Sequence, residues 1–265
     1  MILKRKIYKK LLEWKNECQG KKALLIEGAR RIGKSTICEE FGKNEYESYL
    51  LIDFAKKDKE VEMYFERYLN DMDTFFMLLQ THFGTKLTER NSLIIFDEVQ
   101  MFPQARAAIK YLVADGRYDY IETGSLISIR ENVKNIVIPS EERNINMYPL
   151  DFEEFAIALE EDLLVEYIKK CFEKREPLER SMHNQAMLLF HQYMLVGGMP
   201  MPVVAFIESK KDFTEADKEK RDILKLYRED IMKIDMRYRS KVLAIYDQIP
   251  GFLSQHEKRV VFKKL

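Results

Sequence analysis

The sequence predicts an α/β fold: a buried parallel sheet flanked by helices over residues 1–148, followed by helices alone. Three observations carry this. Short strand-like runs at Ala23–Ile26, Tyr49–Phe54, Leu93–Phe96 and Tyr118–Thr123 are separated by segments with helical spacing. The first run enters a glycine-bearing loop and the third ends in an acidic pair, so polar groups collect at strand ends, where α/β sheets place ligands. From Asp151 onward the apolar period is helical throughout.

Ile7, Leu11 and Trp14 recur at helical spacing, with Tyr8 and Leu12 beside them and the lysines largely on the other side. An amphipathic helix is expected, docked by its apolar face with the basic face either solvated or offered to nucleic acid. Residues 1–22 hold Lys4, Arg5, Lys6, Lys9, Lys10, Lys15, Lys21 and Lys22 against Glu13 and Glu17, a net +6. Ala23–Ile26 then makes a buried strand that leads directly into Gly28-Ala29-Arg30-Arg31-Ile32-Gly33-Lys34-Ser35. This is the P-loop spacing: Gly, four residues, Gly, Lys, then Ser or Thr. Polyphosphate needs backbone N–H groups turned inward and a cation at short range. Residues Gly28 to Thr36 would supply the cradle, Lys34 the cation and Ser35 a hydroxyl for Mg²⁺. Arg30 and Arg31 either add positive charge toward the ligand or point outward to acidic neighbours. Ser35 to Phe41 continues as the helix whose N-terminus faces the phosphates.

Tyr49–Phe54 reads as a second strand, and Val61, Tyr64, Phe65, Tyr68, Met72, Phe75, Phe76 and Leu79 as the core face of one or two helices. Ser92-Leu93-Ile94-Ile95-Phe96-Asp97-Glu98 is a strand that delivers two carboxylates to its end, about 60 residues after the loop. Asp97 fits the Walker B role of orienting Mg²⁺, and Glu98 could polarise an attacking water. Pro103 to Val113 is helical and closes at Asp115-Gly116. The next strand ends in Thr123-Gly124-Ser125, whose hydroxyls either sense the γ-phosphate and its water or serve a strand-end turn. Asn135–Ile138 and Arg143–Met147 are strand-like runs that complete the sheet or form a hairpin at its edge.

Asp151 to Leu164 is expected as one helix, opened by an Asp cap with Glu154 three residues on and carrying Phe152, Phe155, Leu159 and Leu163 on one face. A second helix runs through Met187, Leu188, Phe190, Tyr193 and Met194 to Gly197-Gly198, where Pro200 and Pro202 stop it. Thr214 with Asp217 opens a third, with Leu224, Tyr227, Ile231 and Ile234. These helices would form a lid.

Composition bounds the alternatives. The chain has 265 residues, 46% apolar and 33% charged, with Lys plus Arg and Asp plus Glu equal at 44 each, so a nucleic-acid partner cannot be argued from global charge. It shows neither an apolar run of membrane-spanning length nor a signal-peptide pattern, and a cytoplasmic protein with no membrane association is expected. Cys18, Cys38 and Cys171 are widely spaced, as are His82, His183, His191 and His256, which suits free thiols in a reducing compartment and disfavours a Cys/His metal site.

The motifs at 28–35 and 93–100, Glu-Thr-Gly-Ser at 122–125, Met-Tyr-Pro-Leu-Asp-Phe-Glu-Glu-Phe at 147–155, Tyr-Met-Leu-Val-Gly-Gly-Met-Pro at 193–200 and Tyr-Arg-Glu-Asp-Ile at 227–231 together resemble the poorly characterised AAA-type ATPases of bacteria and archaea. The resemblance implies a P-loop NTPase sheet of the additional-strand type, order 5-1-4-3-2, with a C-terminal helical lid and Mg-ATP as ligand. It further implies that the family runs on past Leu265. The expected division is 1–148 as ATPase core with its N-terminal helix, 149–237 as helical lid, and 238–265 as the start of a following domain. Ile249-Pro250-Gly251 and the basic Lys258, Arg259, Lys263 and Lys264 would mark the entrance to that domain.

The resulting expectation is Mg-dependent ATP hydrolysis coupled to conformational change. Catalysis would rest on Lys34, Glu98 and Thr123 or Ser125, the metal on Ser35 and Asp97. An ATP- or ADP-holding regulatory switch with little turnover uses the same motifs. Arg130, Arg143 and Arg228 are candidates for an arginine finger, which would act within the chain or come from a second copy or another protein. Nucleic acid rests on the basic ends only, and a small-molecule kinase fits the long helical second half poorly.

Overall fold

The computed structural model describes residues 1–125 and 141–254. Its sheet has five strands, β1 (Ala23–Gly28), β2 (Ser48–Asp53), β3 (Ser92–Asp97), β4 (Asp119–Ser125) and β5 (Glu142–Asn146), in the order β2-β3-β4-β1-β5 with every pair parallel. This is the order 5-1-4-3-2. The 143–147 run therefore completes the sheet beside β1, while Asn135–Ile138 lies outside the described residues.

Alternation along each strand divides the core into two layers. Leu24 and Ile26 of β1 face one side with Leu93, Ile95 and Ile121, and there they meet α1 (Ile7–Cys18) and α2 (Lys34–Glu45) through Leu11, Trp14 and Phe41. Ala23 and Leu25 face the other side with Ile94, Phe96 and Tyr120, against α3 (Lys59–Arg67), α4 (Met72–Phe83) and α5 (Pro103–Asp115). The N-terminal helix thus docks by its apolar face. Three cations of this N-terminal segment are also engaged: Arg5 with Glu154, Lys6 with Asp151, and Lys15 with the Glu45 carbonyl.

After the sheet the chain is helical: α6 (Phe152–Ala158), α7 (Asp162–Lys174), α8 (Arg180–Val196), α9 (Pro200–Glu208), α10 (Phe213–Ile231) and α11 (Met236–Ser254). It divides into two compact units, Met1–Pro200 and Met201–Leu265. No helix among the described residues is long and apolar enough to cross a membrane.

Several helical expectations need correction. The single helix expected over Asp151–Leu164 is two, broken at Glu160, whose φ is 64°. Glu160, Glu161 and Asp162 are a run of carboxylates, unfavourable at a helix C-terminus and favourable at the next N-terminus. Leu163 consequently leaves the buried face and is 81% exposed. Pro200 does not merely end α8; it starts α9, where its missing N–H costs nothing. The cap of α10 is Asp212, which accepts from the Thr214 N–H, not Thr214 itself. On α8 and α10 the buried stripes are Ala186, Leu189, Val196 and Ala216, Ile223, Ile231, whereas Leu188, Met194 and Leu224 are exposed. The expected break at Ile249-Pro250-Gly251 is helix through to Ser254, with Pro250 inside. The basic tail from Lys258 lies outside the described residues.

Candidate nucleotide-binding site

β1 ends at Gly28, and the chain turns through residues 29–33 before α2 begins at Lys34. A Cβ on Gly28 would stand 2.4 Å from the Met147 carbonyl oxygen and 2.5 Å from Ile32 Cδ1, so the strand end has room for glycine alone. Gly33 takes φ 89°, which glycine tolerates without cost, and Arg31 takes φ 66°. Ile32 is fully buried and pins the loop into the α1/α2 layer, while Ala29, Arg30, Arg31 and Thr36 are exposed. Lys34 folds back over the loop, its Nζ donating to the carbonyls of Gly28 at 3.1 Å and Ala29 at 2.8 Å. Burial lowers its pKa below the ordinary 10.5, against the raising pull of Glu98 and Asp97.

The acidic side of the site is assembled by sheet register. Phe96 pairs with Glu122, which brings Asp97 beside Thr123. Thr123 Oγ1 and Ser35 Oγ both donate to Asp97 Oδ1, Ser35 at 2.8 Å, so one carboxylate oxygen joins β3, β4 and α2. Ser125 instead sits in register with Gly28 at the loop entrance. Glu98 follows the strand at φ 53°; its backbone N–H donates to Thr123 Oγ1 at 3.4 Å, and its carboxylate accepts from Gln100 Nε2. Sequence reasoning passed over Gln100, a buried amide in the short turn after the acidic pair, and Arg5, which reaches the loop from before α1.

Ser35 and Asp97 place a hydroxyl and a carboxylate together next to Lys34, the oxygen donors Mg²⁺ takes. Among the described residues no group of three or more His, Cys, Asp or Glu side chains could hold a metal by itself.

Of the arginine candidates, Arg143 is in register with Leu24 at the sheet edge away from the loop and pairs with Glu17 at 2.7 Å. Arg228 pairs with Asp247 in the second unit, and Arg130 lies outside the described residues.

The sequence matches the AAA domain family over residues 20–156, from just before β1 into α6. The chain belongs to the AAA domain family. The matched span holds the loop, Asp97, Glu98 and Thr123, and membership makes this AAA domain one of the nucleotide-binding ATPase type. No curated protein matches the sequence. Among solved structures it is similar to the Aeropyrum pernix ORC1 protein in complex with DNA, with TM-score 0.43 and 9% identity over 100% of this chain and 81% of that one. It is also similar to C. elegans PCH-2, with TM-score 0.37 and 12% identity over 81% of this chain and 64% of that one.

Proposed function

We propose that this AAA domain binds Mg-ATP on the Gly28–Thr36 segment and hydrolyses its β–γ phosphoanhydride. The observation that carries the reading is the convergence of Lys34, Ser35, Asp97, Thr123 and Glu98 at the C-terminal ends of the three central strands. Loop N–H groups and Lys34 would bind the phosphates. Ser35 and Asp97 would hold Mg²⁺, which when bound would offset the negative charge of the phosphates. Thr123 fixes the Asp97 carboxylate and would contact the terminal phosphate region, and Glu98 would accept a proton from the attacking water. Residues 149–237 would act as the lid that changes conformation.

Lys34→Ala is expected to lose ATP binding, and Glu98→Gln to keep it while turnover falls by about 10²–10⁴-fold, read by labelled-nucleotide binding beside phosphate release. Wild-type protein that binds no ATP would end this reading. One observation favours a second reading, a switch that holds ATP or ADP with little turnover: the Gln100 amide engages the Glu98 carboxylate. Turnover that stays at background in wild type, while binding is retained, would select it. A nucleic-acid partner would find Lys4, Lys9, Lys10, Lys21 and Lys22 exposed, and salt-dependent retention of labelled DNA or RNA tests for one.

A further inference from the structure

Arg5 lies ahead of α1, far in sequence from every motif of the site, yet its side chain is only 6% exposed and all its bonds lead to the loop and its surroundings. Nη1 donates to the Ile32 carbonyl at 3.0 Å, Nη2 to the Tyr148 carbonyl, and Nε to Glu154 Oε1 at 3.2 Å. Glu154 is itself committed. With Asp151 it forms the capping box that opens α6, and its Oε1 also accepts the Lys6 N–H at 2.6 Å. One guanidinium therefore joins the phosphate loop, the strand exit after β5 and the first helix after the sheet.

The Ile32 bond has a consequence for the loop. The described residues contain no cis peptide, so the planar Ile32–Gly33 unit carries its C=O and N–H on opposite sides. A donor fixed on the carbonyl turns the Gly33 N–H away from Arg5. Inward N–H groups are what a phosphate requires of such a loop, and Gly33, at φ 89°, has the backbone freedom to rotate that unit if nothing holds it.

We propose that Arg5 is a positioning residue of the phosphate loop, holding the Ile32–Gly33 peptide from outside and tying it to the Glu154 capping box. Nucleotide affinity then depends on a side chain that need not touch the nucleotide. The proposal rests on the ATP-binding reading above.

The test separates loop positioning from simple stability. Arg5→Met alone would strand the buried Glu154 carboxylate, so it is paired with Glu154→Gln, which removes the charge and keeps one amide oxygen to accept from either the Asp151 or the Lys6 N–H, now held by separate carboxylate oxygens. The full chain is titrated with a fluorescent ATP analogue and Mg²⁺, and unfolding temperature is measured without nucleotide. The double variant is expected to unfold somewhat below the wild-type temperature, for the N–H left without its acceptor, to remain folded at the titration temperature, and there to bind about 10–100-fold more weakly, the loss of one charged hydrogen bond. Wild-type affinity in the double variant overturns the proposal. Should that variant fail to fold, Arg5→Lys keeps the ion pair but cannot span three acceptors; it is expected to bind about tenfold more weakly, and unchanged affinity overturns the proposal equally. A wild type that binds no nucleotide removes the ATP reading itself, a distinct result from wild-type binding that the Arg5 variants leave intact.

Discussion

Burial acts on Lys34 and Glu122 in the same sense, toward the neutral form, but only Lys34 has the site's carboxylates to oppose it. Glu122 sits in the middle of β4 next to Thr123, and strand alternation sends it to the opposite layer. There it is fully buried; burial pushes its carboxyl well above the ordinary 4.5, the charge and hydrogen bonding of Glu142 push further, and Arg106 opposes. Arg106 is spoken for, since its Nη2 reaches Glu142 at 3.0 Å. A carboxyl whose folded pKa is raised stabilises the fold below its unfolded pKa, and that contribution is lost as pH rises toward the folded value. Glu122→Gln should therefore gain unfolding temperature over wild type progressively as pH rises above about 4.5, with little difference below. Thermal melts across that range check it, and a pH-independent gap would contradict a neutral Glu122. Parity along β4 separates Thr123 from Glu122 in the sequence. Arg106 and Glu142 as neighbours of Glu122 come only from how α5 and β5 pack.

Elements show the same division between local pattern and packing. The Asp151–Glu154 capping box stands in the structure as its spacing requires, because a cap is a local arrangement. The break at Glu160 and the choice of buried stripe on α8 and α10 are not local. Apolar residues lie on more than one side of these helices, and the partner surface selects which stripe is buried. The α8–α9 turn makes a sharp test. A Cβ on Gly198 would stand 2.1 Å from the Leu150 carbonyl oxygen, whose residue also donates its N–H to the Gly198 carbonyl at 2.6 Å. Gly251 in α11 has nothing within 4 Å. Gly198→Ala is expected to destabilise by about 1–3 kcal/mol. Gly251→Ala should be neutral or stabilising by up to about 1 kcal/mol. Urea unfolding of the two variants reads the contrast.

For the whole molecule, a ligand that binds only the folded chain stabilises it by mass action. Mg-ATP at about 100 times its Kd should add about 2.7 kcal/mol, seen as a raised unfolding temperature that Lys34→Ala abolishes. The sequence by itself determined the loop, the acidic strand end, the strand segments of the first 125 residues and the parity of each strand, all of which follow from residue type and spacing within a few turns of chain, while it left the Val61–Leu79 face as one helix or two and the structure makes it two. Its strand order came through family resemblance, since apolar period carries no information on which strands pair. Tertiary structure alone decided that Thr123 rather than Ser125 bonds Asp97, that Gln100 takes the Glu98 carboxylate, and that Arg5 reaches the Ile32 carbonyl. The physical reason is common to the long-range contacts among these. Register and helix docking bring together groups that are remote along the chain, and no local pattern records what a side chain will meet once the backbone has been placed.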